Sequence, residues 1–530
     1  MKRQLLSSLV AFAALLLVPT SASAIGNYST FTAKTVEGIE MTFYVDKVSD
    51  GVCRVYGKYD SNISDYIPAI DKNTTGTVTI PSEVEGLKVT EIGGEAFRNC
   101  TGITTVNIPN TVTRLGGYAF YGCTSLTTIT GISSLEDIDE KYSNARVFYN
   151  TPWYDSLPDG LLYLGKVLYK YKGTMPDNTT VQVKEGTVSI AEYAFYDCAG
   201  LTAVSIPASV TSLTYKSFYR CENLASITVA AGNTIYDSRN NCNAIVKTAA
   251  NTIIVGCKNT TFPSTVTGIG VRAFEYCTSL TSLVLPNNIE RLGSGCFSDC
   301  YSLESVVIGN GLKDIYSGGC FARCNNLKSI EIVSSNPYYD SRNGCNAIIE
   351  TASNTLVVGC PASIIPNTIT AIGWGAFYDR WTITRIDIPN SVVKIGGSAF
   401  SSMYDLECVT IGSGVKEIGE AAFRYDAKLK TIWCKVDFPF DLNENVFSDE
   451  TYDNATLYVP VGSKINYMTS IGWSRFKNIV ETDTEPTTAI EGITADRPQA
   501  DVPVYSLSGQ RLSQPQKGIN IIGGKKVVVK

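Results

Sequence analysis

The side chains best equipped for chemistry in this sequence are its 16 cysteines and its 50 acidic residues; there is no histidine. Without imidazole there is no Ser-His or Cys-His nucleophile pair and no His-ligated metal. Carboxylate chemistry, a Ser-Lys pair and thiols remain. A carboxylate-based glycosidase needs two acids facing one cleft. The acids here sit mainly at variable positions of the chain, such as Glu91, Glu95, Glu192 and Glu304, and no local pair stands out. The sequence therefore reads as that of a non-enzyme with no cofactor.

Seven cysteines share one spacing. Cys100, Cys123, Cys198, Cys221, Cys277, Cys300 and Cys324 each lie three residues after a Phe, and Arg380, Met403 and Asp426 take that slot later. A slot open to such exchanges is a packing position, which predicts a stacked row of buried thiols. Cys296-x-x-x-Cys300 and Cys320-x-x-x-Cys324 also match loose zinc spacing. Cys296 and Cys320, however, fill the slot that Ala96, Ala119, Ala194 and Ala399 occupy elsewhere, so small core residues are the simpler reading and no metal is expected.

Cys242 and Cys257 flank two short apolar runs around residues 248–251, and Cys345 and Cys360 repeat the arrangement around 351–354. In an antiparallel hairpin of that register, 242 faces 257. Each pair either forms a cross-strand disulfide or packs as neighbours. The outward position after the Phe is Tyr at Tyr121, Tyr196, Tyr219 and Tyr378. Such aromatics either line an interface, where they give large contact area at low entropy cost, or pack half-buried between turns. Trp153 and Tyr154, with Trp374 and Trp381, offer a weaker case for sugar stacking.

These side chains are positioned by a repeat. The Phe recurs at 97, 120, 195, 218, 274, 297, 321, 377, 400, 423 and 447, at 23- or 24-residue intervals inside each block. Gaps of 56 residues follow Phe218 and Phe321, which fits one normal coil plus a lengthened one; the gap after Phe120 holds a weaker landmark, Phe148. An aliphatic stands five residues before the Phe (Ile92, Leu115, Ile190) and others six and nine after it (Ile103 and Val106). The V-x-I segment alternates in and out, so it is a short strand, and a following Pro (Pro109, Pro207, Pro286, Pro389) ends it. The G-x-x-A-F segment predicts a tight or one-turn helical return. One coil cannot bury its inward row; stacked coils can. The segments 236–240 and 339–343 are identical (YDSRN), and Cys242/Cys345 and Cys257/Cys360 are both 103 residues apart, so a block of that length was duplicated. The lengthened coils either present hairpins to a partner or only widen the rod.

The recurring I-G-x-x-A-F-x-x-C-x-x-L-T-x-V-x-I-P motif resembles that of the BspA-like leucine-rich repeats of bacterial surface proteins, over residues 76–480. The resemblance implies a β-rich, α/β-type repeat solenoid: a curved, right-handed rod with a parallel sheet on one face. It also implies adhesion or protein binding, with host extracellular-matrix proteins as one ligand class.

The ends depart from the repeat. Lys2 and Arg3 precede the apolar run 5–18 and the small-x-small site 22–24, so 1–24 reads as a secretory signal, with a membrane anchor as the alternative. No later segment is apolar and long enough to span a bilayer. Residues 25–75 alternate apolar and polar and read as a β cap on the first coil. Residues 481–500 are polar and Pro-containing, a linker; 501–530 read as short strands joined by Gly turns, resembling the C-terminal sorting tails of secreted Bacteroidetes proteins or else a plain β module. The net charge of −6 argues against nucleic-acid partners. The expectation is a secreted or surface-held binding protein for a protein or glycan; a structural spacer and a glycosidase are the alternatives.

Overall fold

Each coil closes because its two short strands find partners one coil away. The computed structural model describes residues 29–486 except 63, 140–146 and 317, together with the backbone of four strands beyond residue 503. The predicted secretory signal, 1–24, and most of the predicted linker, 481–500, lie outside the described residues.

The V-x-I segments pair in parallel and in register. Val106 lies beside Val78 and Ile129, Val306 beside Leu283 and Ile330, and Val409 beside Ile386 and Ile432. A second row of two-residue parallel strands, one strand per coil, is formed by the aliphatic–Gly segments, as in Arg291–Leu292 between Gly268–Ile269 and Asp314–Ile315. The result is a β-rich repeat solenoid with parallel sheets, held by contacts between neighbouring coils. Ser29–Lys34, Glu40–Val45 and Val52–Val55 form an antiparallel meander ahead of the first coil, and the third of these strands joins Leu87–Ile92 in parallel. A separate unit, 482–530, contains the antiparallel strands Val504–Ser506, Arg511–Leu512, Gly518–Ile522 and Lys525–Val529.

The landmark Phe rings form an interior stack. Phe97, Phe120 and Phe148 lie with centroids 5.2 and 5.6 Å apart, their planes nearly parallel, and Phe377, Phe400, Phe423 and Phe447 are spaced 5.1–5.3 Å. Offset stacking of this kind adds to the area each ring buries. Replacing one such Phe with Ala would cost about 3–5 kcal/mol.

The return segment is not a helical turn in most coils. Two residues in the left-handed region bracket the Phe. The residue two after it has φ of 57–72° at Asn99, Gly122, Asn150, Asp197, Arg220, Tyr276, Asp299, Arg323, Asp379, Ser402 and Tyr425. The residue two before it is left-handed at Glu95, Tyr118, Tyr193, Arg272, Gly295, Gly375, Ser398 and Ala421. The coils that precede the two 56-residue gaps are different: there a 3-10 turn carries the Phe, at Tyr215–Phe218 and Gly318–Phe321.

The Phe stack is interrupted where a coil is lengthened. Hairpins stand at Gly160–Leu164 with Val167–Lys172, at Ile245–Lys247 with Thr252–Val255, and at Ile348–Glu350 with Thr355–Val358. The first lies inside the 75-residue gap, where Tyr169 sets its ring edge-on to Phe148 at 5.8 Å. The other two are the duplicated long coils. In each, the next Phe lies against a glycine: a Cβ on Gly256 would stand 2.2 Å from Phe274, and one on Gly359 2.2 Å from Phe377.

The repeated YDSRN segment clasps its own hairpin. Asp237 accepts from Arg239 Nε at 2.7 Å and from Thr248 at 2.9 Å, and Arg239 Nη1 donates to Asn251 at 2.8 Å. Asp340, Arg342 and Asn354 repeat these arginine bonds. Tyr236 is 5% exposed, and its hydroxyl accepts from the Leu213 amide.

Candidate functional site

The paired left-handed residues decide what the return turns show to solvent. A side-chain-bearing residue held there costs roughly 1–2 kcal/mol unless it is Gly, Asn or Asp. Several coils do use Asn, Asp or Gly. Arg220, Tyr276, Arg323 and Tyr425, and Tyr118, Tyr193 and Arg272 on the other side of the Phe, carry long side chains at this cost. Tyr118, Tyr193 and Tyr276 combine with the Tyr directly after a Phe into outward clusters.

In the first cluster Tyr121 stacks on Tyr149 at 5.1 Å and touches Tyr118, with the Arg98 guanidinium 5.5 Å from the Tyr121 ring. In the second, Tyr196 stacks on Tyr219 at 5.9 Å, Tyr219 meets Tyr276 edge-on at 5.2 Å, and Tyr276 meets Tyr301 at 6.3 Å. Arg220 lies over Tyr276 at 5.2 Å, within cation–π range. Tyr121, Tyr196 and Tyr219 are half-buried. Tyr378 is 36% exposed, and three residues on, Trp381 forms a third group with Tyr404 at 5.6 Å. Three of the four Tyr predicted from sequence thus lie in two aromatic clusters on the return turns, and Tyr378 makes no ring contact of that kind among the described residues. The neighbours at the left-handed positions were not predicted; the recurrent Asn, Asp and Gly at those offsets were the available signal.

The third group contains a tight polar knot. Arg323 Nε donates to Asp379 at 2.6 Å, its Nη1 to Asp299 at 3.3 Å, and its guanidinium lies 5.4 Å from the Trp381 ring. Tyr301 donates to Asp299 at 2.7 Å. Burial and this bond to Asp299 both push the Tyr301 hydroxyl upward, so it stays protonated.

The thiols form a ladder. Cys123 Sγ donates to the Phe97 carbonyl at 3.0 Å, Cys221 to Phe195 at 3.1 Å, Cys300 to Phe274 at 3.3 Å and Cys324 to Phe297 at 3.1 Å. Each thiol therefore satisfies the landmark Phe carbonyl one coil back. Burial pushes Cys100 up to about 12, so the thiol stays protonated and inert. Cys296 and Cys320 are buried in the same core, and among the described residues no group of His, Cys, Asp or Glu is placed to hold a metal ion.

The four hairpin cysteines are free thiols. The predicted turn exists, with Lys247 opposite Thr252, but a bulge then shifts Ile245 opposite Val255. That slip takes Cys242 out of line with Cys257. Cys242 Sγ donates to the Ala244 carbonyl and Cys257 Sγ to Asn243 at 3.1 Å; Cys345 and Cys360 do the same toward Ala347 and Asn346. The tryptophans are not gathered into one sugar platform either. Trp153 packs in the core on Phe148 at 4.7 Å, whereas Trp374 is 61% exposed, many coils further along.

The acids weighed for catalysis are tied to basic residues. Glu91 pairs with Arg114, Glu95 with Arg98, Glu192 with Lys216 and Glu304 with Lys328.

The family description "BspA type Leucine rich repeat region" matches residues 72–152, 167–251, 253–352 and 360–479. The chain belongs to the BspA-type leucine-rich repeat family. Breaks between the matched spans fall in the three hairpin regions. No curated protein matches this chain. Solved structures similar to it include a leucine-rich repeat protein from Eubacterium ventriosum, 18% identical, covering 75% of this chain and 95% of that one at a TM-score of 0.36. A leucine rich cell surface protein from Faecalibacterium prausnitzii is 18% identical, with coverages of 86% and 96% and a TM-score of 0.31. A leucine-rich repeat protein from Bacteroides ovatus is 21% identical, with coverages of 77% and 93% and a TM-score of 0.28. No helix among the described residues is long and apolar enough to cross a membrane.

Proposed function

We propose that this BspA-type repeat protein is exported and acts at or beyond the cell surface as a non-catalytic binding protein, with protein ligands, host extracellular-matrix proteins among them, as its partners. The observation that carries this reading is the series of half-exposed Tyr clusters on the return turns. Aromatic rings backed by arginines and fixed on rigid turns are the composition that binding hot spots favour. Membership of the family adds support. On the same reading, 1–24 directs export, 25–75 caps the first coil, and the tail 501–530 beyond the 481–500 linker serves sorting to the surface. The ion-paired acids support the non-catalytic part.

The test is binding of the folded chain to immobilised matrix proteins and to a glycan array, with Tyr121, Tyr196, Tyr219 and Tyr378 changed together to Ala. A loss of tenfold or more in affinity for a protein ligand is expected, since each hot-spot aromatic is worth about 2 kcal/mol. A spacer would bind nothing in either format. Polysaccharide hydrolysis abolished by one acid-to-amide change would overturn the non-catalytic reading.

A further inference from the structure

The two 103-residue blocks share one junction but fill it differently. In the second block Arg380 is 0% exposed. Its guanidinium donates to the Gly359 carbonyl from Nε and Nη2, 3.1 Å each, and to the Phe321 carbonyl from Nη1. All of these bonds end on backbone carbonyls of the preceding coils.

In the first block the positions 103 residues earlier are Cys277, Gly256 and Phe218. These three line a cavity of about 20 Å³. That exceeds the roughly 10–15 Å³ needed to hold a water molecule. The short Cys277 leaves open the space that Arg380 takes one block later. None of the described hydrogen bonds ends on the Gly256 carbonyl.

The same cavity is lined by Glu275. Its side chain is only 3% exposed; Oε1 accepts from Arg272, and Oε2 is buried with no hydrogen-bond partner. A buried carboxylate oxygen in that state calls for a donor. Tyr215 and Tyr219 flank it, where the second block has Gly318 and Ala322. Of the 16 cysteines, Cys221 and Cys277 alone are not fully buried, so the cavity opens to solvent beside them.

We propose that this cavity binds the tip of an arginine side chain on a protein partner. The guanidinium donates to the carbonyls of Gly256 and Phe218, as Arg380 does to their counterparts, and to Glu275 Oε2, with the Tyr215 and Tyr219 rings beside it. A planar fork of five donors suits two carbonyls and one carboxylate oxygen better than a point-like ammonium. This rests on the protein-binding reading above and names the side chain that reading would recognise.

The test uses the full chain and N-acetyl-arginine amide as the probe at millimolar concentration, followed by calorimetry, with N-acetyl-citrulline amide as the uncharged isostere. Saturable binding of one arginine probe is expected, at least tenfold tighter than citrulline. Glu275→Gln should weaken it tenfold or more. Cys277→Arg should abolish it by supplying an internal guanidinium; if that variant fails to fold, Cys277→Met serves as the blocking change. Equal binding of the two probes, or a blocked variant that still binds arginine, overturns the proposal. So does a protein partner whose affinity is unchanged by Glu275→Gln. If the probe binds as described but no protein partner is found, the cavity stands as a guanidinium site and the protein-binding reading falls.

Discussion

The junction between Phe218 and Phe274 and the one between Phe321 and Phe377 have the same length, the same 3-10 turn before them and the same glycine under the incoming Phe. They differ in what crosses them. At the second, Arg380 bonds back to two carbonyls, Arg323 donates its amide to Asp379 at 3.2 Å and its side chain to the same residue, and the Trp381 amide reaches Asn325. At the first, ring contacts and the Arg220–Tyr276 contact cross the gap, and Glu275 is left with a bare oxygen. A duplicated block thus kept its backbone while one copy became a polar clamp and the other an open, acceptor-rich recess. Backbone form was held by glycine and hairpin; the filling was free to diverge.

The largest effect should come from breaking the clamp. Arg380→Ala leaves a void and strips the Gly359 carbonyl of its donor, while the Phe321 carbonyl keeps only the Cys324 amide, and chemical denaturation should show a loss of about 3–5 kcal/mol. Cys277→Ala at the first junction should cost far less. Next come the shared glycines. Gly256→Ala and Gly359→Ala both drive a methyl into a Phe ring and should each cost about 2–3 kcal/mol. A clear inequality between them would show that the two backbones are not equivalent.

Glu275 gives a pH signature that only the first junction should have. Burial raises it from 4.5 to about 7. The unfolded chain therefore loses this proton first, so the neutral acid's contribution is intact below about 4.5 and is lost as pH rises to about 7. Glu275→Gln should remove that slope and raise stability at pH 8 by about 2 kcal/mol, read from melts across pH. The smallest effect compares ion pairs. A double-mutant cycle on Arg323 and Asp379 should give a coupling of about 1–2 kcal/mol, because Asp379 is buried. The exposed Arg220–Asp197 pair, at 3.6 Å, should give about 0.5 kcal/mol or less.

Most of the frame was legible because it depends on period. The Phe spacing, the V-x-I strands, the block duplication and the thiol row all follow from side chains that must point inward at fixed intervals. The hairpin register was not legible, since one bulged residue moves Cys242 away from Cys257 without altering any pattern in the sequence. The outward site was half legible. Tyr121, Tyr196, Tyr219 and Tyr378 stand out by type, but Tyr118, Tyr193, Tyr276 and Arg323 reach them only because the backbone turns left-handed there. Arg380 was visible as an exception in the Cys row; that it replaces a thiol's single bond with a three-bond clamp depends on the glycine carbonyl opposite, which no spacing reveals.

The thiol ladder bears on how such a chain can be made. Every Sγ in it points back along the sequence, to a carbonyl in a coil synthesised earlier. A polypeptide emerging from its N-terminus, whether from a ribosome or through a narrow pore, can therefore close turn by turn. Each new coil finds its acceptor already in place, and no oxidant or shuffling of sulfur bonds is needed to finish the wall behind it.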